Sequence, residues 1–134
     1  MATNRIGFST DFVLFNNNVG IGITIPTSKL QVSGNIAATQ FTSLSDANKK
    51  KNIRPIENAI DITKKLEGVR FDWIDNNEPS IGVIAQDVEK VLPELVVESG
   101  GTKSVSYGNI IGVLIEAIKE QQVRIEELER KLNA

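Results

Sequence analysis

No cysteine and no histidine occur anywhere in the 134 residues. The first absence excludes a disulfide framework and a thiolate nucleophile. The second excludes a Ser-His-Asp triad and the common zinc constellations. Aromatic residues are scarce, with one Trp, one Tyr and five Phe, which speaks against a receptor-binding platform of exposed rings. No apolar run approaches the roughly 18 residues of a membrane span. The opening "MATNRIGFSTDF" lacks the apolar core of a signal peptide. Formal net charge is -2, so no global basic field exists to hold nucleic acid. Glycine-rich nucleotide fingerprints are also missing, because "GVIAQD" carries a single glycine before a strand-to-helix step. The expectation is a soluble, cytosolically made chain with no cofactor, no metal, no nucleic-acid partner and no membrane partner.

What is present falls into three textures. Up to residue 44 the chain is rich in Gly, Asn, Thr, Ile and Val, and its charged residues are Arg5, Asp11 and Lys29. The centre of this region, "VGIGITIPTSKLQVSGNIAATQF", alternates branched apolar residues with glycine or polar ones. That is strand periodicity, broken by Pro26 and by the turn signal Ser33-Gly34-Asn35. Small apolar residues bury little area each, so such a segment needs neighbours, and identical chains wound about one axis would supply them. A region that begins so abruptly is expected to be a piece of a longer chain.

Residues 45–108 have a denser pattern. In "IRPIENAIDITKKLEG" Ile56, Ala59, Ile60, Ile62 or Thr63, and Leu66 fall at helical spacing, with Gly68 where a C-terminal cap belongs. "VRFDWID" alternates as a strand, with Phe71 and Trp73 as core residues, and "NNEPS" reads as a turn. Ile81–Ile84 predicts a short strand and Gln86–Val91 a helix ended by Pro93. "LVVESGGTKSVSY" predicts a hairpin turning at Ser99-Gly100-Gly101-Thr102. Glu94 and Glu98 read as solvated charges, Asp72 and Asp75 as a loose carboxylate pair at a strand edge, and Tyr107 as a residue packed where helix and domain meet.

The third region, 109–132, reads as one long helix. Ile111, Ile118, Ile125 and Leu132 share one heptad position, and Leu114, Gln121 and Leu128 share the other. So long a seam, followed by the charged "RIEELERK", predicts a coiled coil. The seam alone leaves the number of strands open: Ile at one position with Leu at the other leans toward a dimer, and the polar Gln121 adjusts that choice. A single amphipathic helix packed on its own domain is the alternative.

Candidate chemistry lies in "SLSDANKKKN", residues 43–52. A serine hydroxyl needs a base, and the base on offer is lysine. Lysine serves as a base only when neutral, a form favoured by burial and by neighbouring cations. Lys49, Lys50 and Lys51 stand together, while Asp46 acts the other way. Read from these residues alone, the stretch is equally a solvated loop in which Ser45 or Asp46 caps a helix.

The segments "SDANKKKNIRPI", "VRFDWID", "IGVIAQDVEKVLPELVVE" and "KSVSYGNIIGVLIEAIKEQ" occur in this order over most of residues 45–132. In them the chain resembles the intramolecular chaperone domain at the C-terminus of phage tail spikes, tail fibres and neck appendages, the S74 peptidase family. The resemblance implies an α+β fold: a small mixed domain with a long C-terminal coiled-coil helix, preceded by a β-rich fibre-stem end, in a homotrimer. Residues 1–44 would be the end of an intertwined triple β-helix, and 45–134 the chaperone, which registers the stem strands and then releases itself. It further implies a single-turnover serine endopeptidase with Ser45 as nucleophile, Lys50 as base, Asp46 and Asn52 as supporting motif residues, and Leu44–Ser45 as the cleaved bond. The partners implied are copies of the same chain and the rest of the appendage stem, in a virion appendage assembled in the host cytoplasm. Asn48 stands where many members of the family carry arginine. That departure favours the alternative, a structural trimerisation cap without cleavage.

Overall fold

The computed structural model describes residues 12–134, with side chains described from residue 16 onward. Arg5, Asp11 and the N-terminal reading of residues 1–11 lie outside the described residues. The chain divides into two compact units, one ending at Lys51 and one running from Asn52 to Ala134.

The first unit begins with a hairpin of β1 (Phe12–Phe15) and β2 (Asn18–Ile21). Asn16 and Asn17 form its two-residue turn, both at positive φ (49° and 64°), the backbone that matches the twist of paired strands and that asparagine tolerates. Strand β3 (Leu30–Val32) pairs in parallel with β2, Val19 opposite Leu30 and Ile21 opposite Val32. The crossover between them is short and held by side chains. Asn18 Nδ2 donates to the Pro26 carbonyl (3.1 Å), while the backbone N–H and hydroxyl of Thr27 both donate to Gln31 Oε1 (2.9 and 3.1 Å). Gly20 has to be glycine, because a β-carbon there would run into the Ile23 carbonyl oxygen.

Strand periodicity predicts further β structure after Gly34, and here the structure differs. From Gly34 to Asp46 the backbone joins no ladder. A strand forms only against a partner edge, and this stretch pairs with neither outer strand of the β1–β2–β3 sheet. Ile36, Phe41 and Leu44 stand exposed as a result, Leu44 at 98%.

The second unit is a small mixed α/β domain with a long C-terminal helix. Its order is α1 (Ala59–Thr63), the hairpin β4 (Val69–Asp72) and β5 (Pro79–Gly82), α2 (Ala85–Val91), a 3-10 turn (Pro93–Leu95), the hairpin β6 (Val96–Ser99) and β7 (Thr102–Val105), and α3 (Tyr107–Leu132). Gly100 and Gly101 turn the second hairpin at positive φ (58° and 76°), as the Ser-Gly-Gly-Thr sequence predicts. Ala59, Ile60, Val88, Leu92, Leu95, Val113 and Ala117 form the buried core, with Ile62, Leu66, Val83, Val91, Val96, Val105 and Ile110 packed around it.

Three sequence expectations change in this unit. The first helix is confined to Ala59–Thr63, and Gly68 does not cap it, since the helix passes into Lys64 in ordinary right-handed geometry. Asn58 at φ 55° blocks any helix upstream of it. Phe71 and Trp73 are not core residues. Trp73 begins the β4–β5 turn, is exposed, and meets Phe71 edge-on with ring centroids 5.2 Å apart. Glu98 is not merely solvated, because it lies 3.6 Å from Lys103, which also pairs with Glu89.

Helix α3 carries two apolar stripes. Val113, Ala117 and Glu120, at spacings of four and three, face α1. The heptad positions Ile111, Leu114, Ile118, Ile125, Leu128 and Leu132 are all exposed. The seam predicted from sequence is therefore not the stripe that packs on the domain.

Candidate active site

Leu44 and Ser45 lie in the exposed segment that belongs to no strand. Immediately after it, Ala47–Lys49 closes one 3-10 turn. Asp46 is its N-cap: the side-chain Oδ1 accepts the Asn48 N–H at 2.8 Å. The Lys49 N–H donates to the Asp46 carbonyl (3.1 Å) and the Lys50 N–H to the Ala47 carbonyl (3.0 Å). The turn reverses the chain enough for Lys50 Nζ to donate to Ser45 Oγ at 2.7 Å. Of the residues singled out in the sequence, Ser45 and Lys50 are thus brought together, and Asp46 supports the turn between them. Asn52 is exposed and takes left-handed backbone (φ 54°). Lys49 and Lys51 are exposed beside the pair. Chemically, a hydroxyl in hydrogen-bond contact with an amine, one residue from a peptide carbonyl, is a nucleophile–base arrangement once the amine is neutral.

Residues 45–97 match the S74 peptidase family, described as the chaperone of endosialidase. In this segment the chain is similar to chaperone-of-endosialidase domains. Ser45 is the first residue of the match, so the exposed Leu44–Ser45 bond lies at its edge. The chain is also 40% identical over 108 residues, 73% of its length, to the long tail fiber proteins Gp37 of Enterobacteria phages K3 and T2. It is 34% identical over 111 residues, 74% of its length, to Gp37 of Salmonella phage S16. The aligned part covers 9%, 8% and 15% of those proteins, a small fraction of each.

Two features that organise the second unit were not read from the sequence. Glu120 on α3 caps α1 from sixty residues away, accepting the Ala59 N–H at Oε1 (2.8 Å) and the Ile60 N–H at Oε2 (3.0 Å). Asn58, at the cap position itself, makes no side-chain cap bond. The backbone bonds from Ile60 and then Ala59, with Arg124 adding attraction, hold the Glu120 carboxyl below the usual range. A signal did exist, since Glu120 continues the Val113–Ala117 stripe, where a charge demands a partner. The second feature is Lys103, which links β7 to Glu89 on α2 and to Glu98 on β6. Its hydrogen bond to Glu89 raises it above the ordinary lysine range against the cost of desolvation.

Among the described residues no group of three or more acidic side chains is placed to hold a metal ion. No helix among them is long and apolar enough to cross a membrane.

Proposed function

We propose that this chain is the C-terminal part of a trimeric phage fibre protein, in which residues 45–134 act as an intramolecular chaperone that aligns the stem and then cuts itself free. The fibre relatives and the family of residues 45–97 support this reading. So does the exposed seam of α3, whose Ile111, Leu114, Ile118, Ile125, Leu128 and Leu132 repeat at the spacing by which helices of separate chains interlock. Three helices joined along this seam hold three stem segments at high effective concentration and in one register. The unpaired stretch after Ser33, with Ile36, Phe41 and Leu44 exposed, then finds its missing strand edges on the other two copies and winds into a triple β-helix. The assembled product is a virion appendage.

The observation that carries the cleavage reading is the 2.7 Å contact between Lys50 Nζ and Ser45 Oγ. Enclosed by neighbouring copies, the neutral amine takes the hydroxyl proton. Oγ bonds to the Leu44 carbonyl carbon, and the bond from that carbon to the Ser45 nitrogen breaks as the nitrogen gains a proton. Water then splits the resulting ester, leaving a carboxylate on Leu44 and a free amine on Ser45. Holding nucleophile, base and carbonyl in one short segment supplies much of the advantage.

Intact-mass measurement of the full chain tests this. The expected product begins at Ser45, and Ser45→Ala and Lys50→Ala each remain whole while still assembling. A break elsewhere, or cleavage in either variant, would overturn the assignment. Exposure of both side chains in the single chain, together with Asn48, favours the second reading, a structural trimerisation cap without cleavage. A chain that stays whole through prolonged incubation of the assembled form selects that reading.

A further inference from the structure

We infer that Asp46 is the positioning residue of the Ser45–Lys50 pair and acts through its cap on the 3-10 turn rather than through its charge. The inference rests on reading Ser45 and Lys50 as the reacting pair. Five residue steps of extended chain would set the two α-carbons about 17 Å apart, beyond the reach of one lysine side chain. Contact therefore depends on the turn at Ala47–Lys49, where the rise falls to about 2 Å per residue. That turn is weakly held. It buries no residue, and a single helical turn fixes several dihedrals for very few hydrogen bonds. Two of its bonds are backbone to backbone and indifferent to sequence. The one supplied by a side chain is Asp46 Oδ1 accepting the Asn48 N–H. With no packing beneath the turn, the Asp46 cap sets how much of the time Lys50 lies over Ser45.

The Asp46 carboxylate is engaged with the Asn48 N–H, while the Lys50 amine is engaged with Ser45 Oγ. What Asp46 contributes to catalysis is geometry, which asparagine reproduces with the same acceptor atom. The donor at position 48 is backbone, so the Asn48 side chain is immaterial to the turn. The absence of arginine there leaves the pair in contact.

The test compares the full-length wild type, Asp46→Asn, Asp46→Ala and Asn48→Ala by two readouts. The first is the nuclear Overhauser effect between the Lys50 ε-methylene and the Ser45 β-methylene, recorded on the uncleaved chain. The second is the first-order rate of cleavage by intact mass across pH. Asp46→Ala is expected to weaken the effect and slow cleavage about fivefold, the usual consequence of losing a cap. Asp46→Asn and Asn48→Ala should match wild type in both, with an unchanged melting temperature throughout. A full Overhauser effect in Asp46→Ala, or none in wild type, overturns the inference. So does Asp46→Asn behaving like Asp46→Ala with a shifted pH midpoint, which would mean that charge matters. If wild type never cleaves, the cleavage reading fails, while the Overhauser comparison still decides whether Asp46 positions the pair.

Discussion

The hydroxyl of Tyr107 occupies the space that a side chain on Gly82 would need: a β-carbon there would fall 2.5 Å from the phenolic oxygen. The same hydroxyl accepts the Val83 N–H at 3.1 Å. The first residue of α3 thereby closes the end of β5, taking over a donor that the two-stranded ladder leaves free.

This fit predicts coupling between the two positions. Gly82→Ala should destabilise the domain by about 1–3 kcal/mol, as overpacking does. Tyr107→Phe should cost about 1 kcal/mol for the lost hydrogen bond. Placed together, the substitutions should cost less than their sum, because removing the hydroxyl also removes the collision. Denaturant unfolding of the four proteins measures this, and strict additivity would contradict the contact.

Glu120 predicts an acid-sensitive link between α1 and α3. Its carboxyl is held below the usual value of 4.5, chiefly by the Ile60 N–H. The unfolded chain therefore protonates first as pH falls. The contribution to stability is complete above the unfolded value and is lost as pH drops through the lower, folded value. Thermal melts of wild type and Glu120→Gln should differ most near neutral pH and converge in acid. A constant gap would mean that the charge on Glu120 adds nothing to the cap.

The exposed seam of α3 predicts that association and folding separate. Ile118→Asp places a charge in the seam and leaves the Val113–Ala117 stripe untouched. Sedimentation should show association weakened by tenfold or more, with an unchanged circular dichroism spectrum at high dilution. Ala117→Asp, by contrast, buries an unpaired carboxylate and should unfold the domain. If Ile118→Asp assembles as tightly as wild type, α3 is not the interface.

Gly20 makes a prediction for the first unit. Gly20→Ala should disrupt the β2–β3 crossover, because the new methyl group meets backbone rather than a yielding side chain. The expected readout is loss of amide protection at Val19 and Ser33, whose N–H groups donate to the Lys29 and Ile21 carbonyls.

Much of the second unit was legible because its signals are local. Gly100 and Gly101 define a turn by backbone alone, and the ladder of β6 with β7 follows. Pro93 stops α2, and the long period of α3 needs no neighbour to be read. The failures share a cause. The helix predicted through Leu66 is regular only over Ala59–Thr63: its start is fixed by Glu120, distant in sequence, and after Thr63 the Lys65 and Leu66 N–H groups turn to tighter i→i+3 bonds. Trp73 reads as core by alternation, yet the turn begins at that residue. Residues after Gly34 have strand periodicity, but periodicity names a face and provides no edge to pair with. At the site, it is the family resemblance that names Ser45 and Lys50, since the residues alone do not choose among three lysines, and the turn that joins the pair depends on which atom Asp46 accepts from.

Beyond Gln121 no residue of α3 is buried, so its last three or so turns add no packing to the domain beneath. That stretch behaves as an adjustable handle. On the proposed assembly, removing or adding a heptad there would change how firmly copies grip one another and leave the tertiary architecture alone, so grip strength and domain stability could drift independently under selection.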